Sequence, residues 1–439
     1  MSAPTSSDRL LLTGALVLHN DPVGVEQADI RVRGGVITAV GADLAPEEGE
    51  QVVDLAGSWI MPGLVVGHHH LYSALATGMP FLPEAPVDFA DMLAKVWWRM
   101  DKALDRESTE VCGLVGGVGA LRVGVTTIID HHASPSFIEG SLEALDGSLG
   151  TLGLRRVLCY EVTDRGGPAE AKAGLRAHEP LLAAGPDGWH AVMVGAHANF
   201  TLSDATLAAC GALAREAGVG LHIHVAEAEG DRRLVGEPLV ARLERLGALL
   251  PGSLLAHCVH LGPEELKRID GAGAWVSHQA RSNMNNAVGY APLACFGPHS
   301  VLGTDGIGAD MIAELQAAYF RSQEGHVGWF APRFLQMLHA GATFAGQKLG
   351  LDLGHIVPGA AADLVVLDPL PGPPLLAENL ANAYVFRFGS GMVRHVMTGG
   401  VWRLWDRATP GFDQAALDRR ARRAAQGLWR RMLEADRAR

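Results

Sequence analysis

Eight short apolar runs, each followed by a stretch of helical period, occupy the middle of the chain and constrain its fold most. They cover residues 60–67, 126–129, 157–162, 191–195, 219–224, 253–257, 274–278 and 301–305. Apolar strands that alternate with helices form parallel sheets covered on both faces. Eight such units fit a (β/α)₈ TIM barrel. We therefore predict an α/β fold with a barrel over residues 58–355.

The two ends of the chain have a different pattern, with short alternating strands separated by turns. Such strands are predicted at 10–18, 29–33, 36–40 and 51–54, and again at 362–367, 382–386, 393–398 and 401–404. This arrangement predicts one small β-sandwich domain built from residues 1–57 and 356–408. The remaining residues, 409–439, are predicted to form a C-terminal helix.

Composition narrows the classes of partner and the compartment. The 439 residues carry a formal charge of −12, which argues against a nucleic acid or an anionic membrane as partner. The five cysteines are scattered without a CxxC pair, which is typical of reduced thiols. No uninterrupted apolar run is long enough for a membrane span. We expect a cytoplasmic protein.

Polar residues follow the predicted strands at the point where six of them end. These residues are His68, His70, Asp130, His131, His224, His257, His278 and Asp305. Active sites of barrel enzymes lie at the carboxyl ends of the strands. The sequence therefore predicts that these side chains converge at one mouth of the barrel.

Four of these residues form a candidate metal site. In an extended chain, residues i and i+2 point the same way, so His68 and His70 can hold one ion while His69 turns away. The alternative is a polar strand end whose histidines are simply hydrogen-bonded. His224 and Asp305 add a third imidazole and a carboxylate. This donor set suits zinc, with iron or manganese as alternatives.

Ordered motifs along the chain resemble the amidohydrolase superfamily. They are Pro62-Gly63-Leu64 before His68-His69-His70, His224-Val225-Ala226-Glu227, Ala256-His257-Cys258-Val259-His260, Ser277-His278 and Gly303-Thr304-Asp305-Gly306. Within that superfamily the chain is most similar to the cytosine and guanine deaminase and chlorohydrolase-type branch, and there to the SsnA group of aminohydrolases. The resemblance covers almost the whole chain.

The resemblance implies roles for individual residues of those motifs. The metal ligands would be His68, His70, His224 and Asp305. Glu227 would be the proton shuttle, and His257 would bind the metal-activated water. Some relatives bridge two metals with a lysine on the third or fourth strand. The lysines here lie elsewhere, so we expect one divalent metal: Lys95, Lys102, Lys172, Lys267 and Lys348.

These assignments predict an aminohydrolase. A divalent metal lowers the pKa of its bound water to about 7. Asp305 and His257 would orient the resulting hydroxide and accept its proton. Glu227 would protonate the ring nitrogen of the substrate and then deliver a proton to the departing amine. The substrate would be an amino-substituted heterocycle, and the family likeness implies a homo-oligomer. A chlorohydrolase or an amide-cleaving amidohydrolase on the same fold is the alternative. A non-catalytic metal-binding scaffold is disfavoured, because a scaffold needs neither Glu227 nor His257.

Three further residues are candidate substrate contacts, each with a structural alternative. His197 follows the fourth strand and either contacts the substrate or caps a loop. Arg281 either faces the substrate or is a surface or interface arginine. Trp98 lies in an insertion after the first strand, where packing of a helix on the barrel competes with a lid over an aromatic ligand. Asp130 and His131 are candidates for support of the metal ligands.

Overall fold

A computed structural model describes residues 8–80 and 84–437, so the predicted domain limits at residues 1 and 439 lie outside the described residues. The strands are β1 (Arg9–Asn20), β2 (Val23–Arg33), β3 (Val36–Gly41), β4 (Gln51–Asp54), β5 (Trp59–Pro62), β6 (Leu64–His69), β7 (Val125–His132), β8 (Arg155–Tyr160), β9 (His190–Val192), β10 (Val194–Ala198), β11 (Leu221–Val225), β12 (Leu254–His257), β13 (Trp275–His278), β14 (Ser300–Leu302), β15 (Leu364–Leu367), β16 (Val393–Thr398) and β17 (Val401–Leu404).

The helices lie mainly between the strands of the middle region. They are α1 (Phe89–Met92), α2 (Trp98–Ala103), α3 (Arg106–Arg122), α4 (Ser141–Leu152), α5 (Pro168–Arg176), α6 (Glu179–Ala184), α7 (Asp204–Glu216), α8 (Gly230–Val235), α9 (Leu239–Arg245), α10 (Pro263–Gly271), α11 (Ala280–Asn285), α12 (Met311–Glu324), α13 (Ala331–Leu349), α14 (Leu380–Phe386) and α15 (Gln414–Arg437). A π-helical turn, Leu93–Trp97, joins α1 to α2.

The middle of the chain forms two parallel sheets whose strands follow one another in sequence order. One sheet has the order β6-β7-β8-β9 and the other β10-β11-β12-β13-β14. A parallel bridge between Val162 and Ala196 connects the two sheets, and another between His69 and Asp305 connects the last strand region to the first. The predicted alternation of buried parallel strands with helices is confirmed. All carboxyl ends of these strands therefore face the same side.

Several helices begin where the sequence supplies a capping side chain. Asp105, Ser203 and Asp310 each accept a hydrogen bond from a backbone N–H in the first turn of the helix that follows. Such a cap stabilises a helix by about 1 kcal/mol. These caps fix the start of α3 after helix α2, and the starts of α7 and α12 after the segments that follow β10 and β14.

Strands from both ends of the chain belong to one mixed sheet. Its order is β17-β16-β15-β5-β1-β2-β3, with β4 also paired to β1. Among the described residues these strands belong to a single hydrogen-bonded sheet, so the sandwich stays a prediction. The predicted strand at 382–386 is wrong, because this segment belongs to helix α14. Leu380 and Tyr384 are one helical turn apart and both are buried, and α14 packs on α12 and α13.

A buried ion pair joins the parallel strands to the terminal sheet. Arg155, at the start of β8, binds both carboxylate oxygens of Asp363, at 2.8 and 2.9 Å. The side chains are only 5% and 3% exposed. Asp363 also accepts a bond from the backbone N–H of Gly399, between β16 and β17. One carboxylate thus holds together three segments that are far apart in sequence.

Replacement of Arg155 by methionine is expected to lower the free energy of unfolding by about 3–5 kcal/mol, since Asp363 would remain buried without its cation. Urea unfolding measures this change. The matched control is Arg394→Met, because Arg394 pairs with Asp368 and Asp406 at a one-third exposed site; that change should cost less than about 1 kcal/mol. If both variants lost the same free energy of unfolding, the buried Arg155–Asp363 ion pair would not have the stabilising role assigned to it.

None of the helices in the described part of the chain is both long and apolar enough to cross a membrane.

Candidate active site

The first candidate ligands lie where β6 ends. The rings of His68 and His70 lie on the same side of the strand, with centroids 4.8 Å apart. His69 points the other way, and its Nδ1 is 2.8 Å from the hydroxyl of Thr304. Gly303 makes this approach of two strands possible, because a Cβ there would lie 2.8 Å from the backbone N of His68. Extended geometry and one glycine therefore bring β6 against the end of β14.

The four predicted ligands meet at one point. The candidate ligand atoms of His68, His70, His224 and Asp305 all lie within 4.8 Å of one another. Nε2 of His70 is 3.0 Å from Oδ1 of Asp305 and 3.1 Å from Nε2 of His224. Nε2 of His68 is 3.7 Å from the same carboxylate oxygen. The side chains come from three separate strand ends.

Hydrogen bonds on the far side of each ring fix its orientation and tautomer. Nδ1 of His70 donates to the carbonyl of His131 at 2.6 Å, and Nδ1 of His224 donates to the carbonyl of His197 at 2.6 Å. Nδ1 of His68 lies 2.8 Å from Nε2 of His222. In neutral rings, the Nε2 atoms of His70 and His224 then direct lone pairs at each other. This is the arrangement expected of ligands held by surrounding hydrogen bonds.

The donor set fits a divalent cation. Nε2 of His68 is buried and has no hydrogen-bond partner within the described residues. Burial by itself raises the pKa of Asp305, but the close imidazoles of His68 and His70 hold that pKa well below its ordinary value. Three imidazole lone pairs around one carboxylate match the nitrogen and oxygen ligands that zinc accepts. These residues could hold one such ion.

Glu227 and His257 lie beside this cluster. Oε2 of Glu227 is 3.5 Å from Nε2 of His257, and that nitrogen is 3.9 Å from Oδ2 of Asp305. Burial, together with the charges of Asp305 and Asp231, raises the pKa of Glu227 well above its ordinary value. A carboxyl group with such a pKa can donate a proton at neutral pH.

Helix α11 supplies contacts that the sequence did not reveal. Asn283 presents Oδ1 to Nδ1 of His257 at 2.9 Å, which leaves Nε2 of that ring with its lone pair free. Ser282 donates to Asp305, and Nδ2 of Asn286 lies 3.5 Å from Oε1 of Glu227. The only signal in the sequence is the polar run Ser282-Asn283-Met284-Asn285-Asn286 after the seventh predicted strand.

Glu161 is a second residue that the sequence did not single out. It follows β8 and is 2% exposed, and Oε1 lies 3.1 Å from Nδ1 of His131 and 3.3 Å from Nδ1 of His70. Burial alone would raise the pKa of Glu161, but His131 and His197 hold it well below its ordinary value. A charged residue directly after a buried apolar strand was the available signal.

Asp130 and His131 lie in the positions expected of supporting residues. Oδ1 of Asp130 accepts a bond from the backbone N–H of Leu71 at 2.6 Å, just after the histidine triplet. The carbonyl of His131 holds His70, as described above. His278 lies at the end of β13, but its ring does not line the cavity and instead contacts Phe296.

The cluster lies at the bottom of a cavity of about 680 Å³. Its apolar wall comes largely from the segment after β6, and the residues concerned are Phe89, Met92, Leu93, Val96, Trp97 and Trp98. The predicted substrate contacts His197 and Trp98 both line this cavity. Arg281 does not, because its guanidinium binds the buried Glu314 at 2.5 Å and the carbonyl of Gly308 at 2.7 Å. The geometry is against a direct substrate contact for Arg281.

Backbone strain is concentrated at these strand ends. His257 has φ +72°, Cys258 has φ +52°, Asp305 has φ +54° and Ala226 has φ +52°. Residues other than glycine rarely adopt this left-handed region, and such positions cluster at active sites. The backbone turns away here after β11, β12 and β14, immediately beside the functional side chains.

Parallel strands whose ends carry a cluster of three histidines and one aspartate, with a buried glutamate beside it, are typical of a metal-dependent hydrolase site. Comparison with known proteins gives the family. A profile of the amidohydrolase family matches residues 59–403, and the chain belongs to that family. The sequence prediction of an amidohydrolase that acts on carbon–nitrogen bonds is confirmed.

Two relatives and one solved structure show how far the similarity extends. The chain is 30% identical to 5-methylthioadenosine/S-adenosylhomocysteine deaminase of Nitratidesulfovibrio vulgaris, over 96% of this chain and 97% of that protein. It is 29% identical to 8-oxoguanine deaminase of Pseudomonas aeruginosa, over 90% and 93%. A zinc-bound adenosine deaminase from Xanthomonas campestris has the same fold, with a TM-score of 0.84, 22% identity and coverage of 97% and 99%.

Proposed function

We propose that the chain is a hydrolytic deaminase of an amino-substituted heterocycle of purine type. The observation that carries this proposal is the buried carboxyl of Glu227, 3.5 Å from His257 and next to the four-residue ligand cluster. An acid at this place can protonate a ring nitrogen beside the carbon that loses its amine. The two relatives act, by their names, on adenosine derivatives and on 8-oxoguanine, and both substrates are purines that carry an amino group.

The roles of the side chains follow from their hydrogen bonds. A divalent ion held by His68, His70, His224 and Asp305 would supply Lewis acidity that makes water nucleophilic at neutral pH. His257 has a free Nε2 lone pair, so it can hold the proton that water gives up. Glu227 would donate its proton to the ring nitrogen as the carbon–oxygen bond forms.

The proton held on His257 then passes to the leaving amine, ammonia departs as the carbon–nitrogen bond breaks, and the new hydroxyl group returns a proton to Glu227 as the carbonyl forms. Glu227 is the group placed to take up this proton, since it lies at the cavity surface between His257 and Asn286. The apolar wall limits the water around the reacting atoms, which strengthens the electrostatic interactions there. Loss of chloride or cleavage of an amide would use the same residues, and product analysis separates these reactions from deamination.

We also infer the finer properties that go with this function. The ion is zinc, because imidazole and carboxylate ligands suit it, with iron or manganese as the alternatives. The two parallel sheets together form the (β/α)₈ barrel, since their pairing returns from the Asp305 region to His69. The terminal strands form the small β domain. The protein acts in the cytoplasm as a homo-oligomer, a state that light scattering can measure.

Removal of the metal is the direct test of the proposed function. The purified protein should contain about one ion per chain and release ammonia from at least one of a set of aminopurines, aminopyrimidines, pterins and triazines. Treatment with a chelator should abolish ammonia release, and added zinc should restore it. A protein that contains no metal, or that releases ammonia equally well after chelation, would contradict the proposal.

A further inference from the structure

One part of the cavity wall is formed by Glu161, which follows β8, and by His197, near the end of β10. Glu161 and His197 both line the cavity there, although they are only 2% and 7% exposed. The proposed chemistry uses neither side chain. Because both groups are buried and polar, any hydrogen-bonding capacity that the protein leaves unmet can be met only from the cavity.

The hydrogen bonds of Glu161 engage only one of its carboxylate oxygens. His131 places Nε2 3.0 Å from the carbonyl of His222 and Nδ1 3.1 Å from Oε1 of Glu161. Both of these partners are acceptors, and the second contact occupies Oε1 of Glu161. The other oxygen, Oε2, makes no hydrogen bond within the described residues. It remains a charged acceptor at the cavity wall.

His197 also presents an acceptor to the cavity. Its Nδ1 is 2.7 Å from the hydroxyl of Thr201, and that hydroxyl donates to the carbonyl of Ala198 at 3.1 Å. The hydroxyl proton is therefore used, and Nδ1 of His197 must be the donor. In the neutral ring, Nε2 then carries a lone pair.

These two acceptors face each other without a proton between them. Nε2 of His197 lies 3.7 Å from Oε2 of Glu161, which is too long for a hydrogen bond. Asp101 also lines the cavity: its Oδ2 accepts a bond from Arg165 at 2.7 Å, and its buried Oδ1 has no partner among the described residues. An unmet buried acceptor costs about 1–3 kcal/mol, so a donor from a ligand would be bound favourably here.

We propose that Glu161 and His197 together bind an N–H group on the substrate ring, which makes the substrate an amino-heterocycle with an unsubstituted ring N–H. This inference rests on the proposed function and narrows its substrate class to a free base, as opposed to an N-alkylated base such as a nucleoside. An alkyl group at that nitrogen would leave both acceptors buried without a donor. Sites that hydrogen-bond a ligand group reject analogues that lack the group more strongly than apolar pockets do.

Matched ligands that differ only at the ring nitrogen test this proposal. Adenine with 9-methyladenine, guanine with 9-methylguanine, and cytosine with 1-methylcytosine form three such pairs. For the zinc-loaded protein, calorimetry gives the affinities and ammonia release gives kcat/KM. In at least one pair the N–H member should be preferred by about tenfold or more. In Glu161→Gln the preference should fall to about threefold or less, since the amide offers the ring one donor in place of a charged acceptor.

A second variant and a control separate recognition from a merely structural role. Thr201→Val removes the acceptor that fixes the His197 proton on Nδ1, so it too should reduce the N–H preference. Glu139→Gln alters an exposed glutamate paired with Arg176 and should leave the preference unchanged. A general loss of packing would lower both members of a pair equally, and a purely steric effect of the methyl group would persist in Glu161→Gln.

The outcomes distinguish this inference from the proposed function. N–H-selective binding without ammonia release would retain the inference and refute deamination. Ammonia release with equal use of both members, or with 5′-deoxyadenosine preferred to adenine, would retain deamination and overturn the inference. An unchanged ratio in Glu161→Gln also overturns it, and absence of both binding and turnover across the panel refutes both.

Discussion

Glu227→Gln is expected to lower kcat for ammonia release by about 10²–10⁴-fold, the range that general acid–base groups contribute. Glutamine keeps the size of the side chain and its place between His257 and Asn286, but it has no acidic proton to give. KM should change little, because the cavity wall is unaltered. Metal content should stay at the wild-type level, since Glu227 is not one of the four clustered ligands.

The neighbouring Glu229 provides the control for this experiment. It lies two residues further along the chain and is exposed, so Glu229→Gln should retain wild-type kcat and metal content. Full turnover by Glu227→Gln would show that another group moves the proton. Loss of metal together with activity would instead show that Glu227 holds the ion.

Asp305→Asn is expected to have the second large effect on ammonia release, because it weakens metal binding. Asp305 contributes the only carboxylate among the four clustered groups and contacts both His68 and His70. An amide leaves the three imidazoles without a compensating anion, so the purified variant should contain little metal. Without the ion to activate water, kcat/KM should fall by at least about 10³-fold. Elemental analysis and ammonia release measure the two effects.

Asp310 offers a control of the same chemistry close by in the chain. Its carboxylate caps helix α12 by accepting the N–H of Ala313 at 3.0 Å, and asparagine caps helices equally well. Asp310→Asn should therefore keep both metal and activity. If Asp305→Asn bound a full complement of metal and retained turnover, the four-residue cluster would not be the working metal site.

The sequence alone could locate residues whose position depends on local periodicity. His68 and His70 are two apart in a strand, and Asp305 and His224 end other apolar strands, so parallel strand order was enough to predict that they meet. The contacts of α11 could not be predicted in this way. Asn283 reaches His257 only because a short helix folds back over a strand that precedes it by 26 residues.

Arg281 and the segment at 382–386 show two other limits. Whether an arginine faces a cavity depends on competing partners, and here Glu314, 33 residues away, captures the guanidinium. The segment around Tyr384 has the aromatic and branched residues typical of strands, yet it packs as a helix against α12 and α13. Tertiary packing decides the secondary structure of such short stretches.

The left-handed backbone at the strand ends implies a conflict between conformational stability and catalysis in this enzyme. Each such residue costs about 1–3 kcal/mol, and glycine would adopt the same conformation without that penalty. At Ala226 and Cys258 a glycine would remove no acid, base or ligand. At His257 and Asp305, a substitution by glycine would also remove the strain, but it would delete the side chains proposed to perform the reaction. Selection for heat resistance can therefore act on the first two positions and is blocked at the other two.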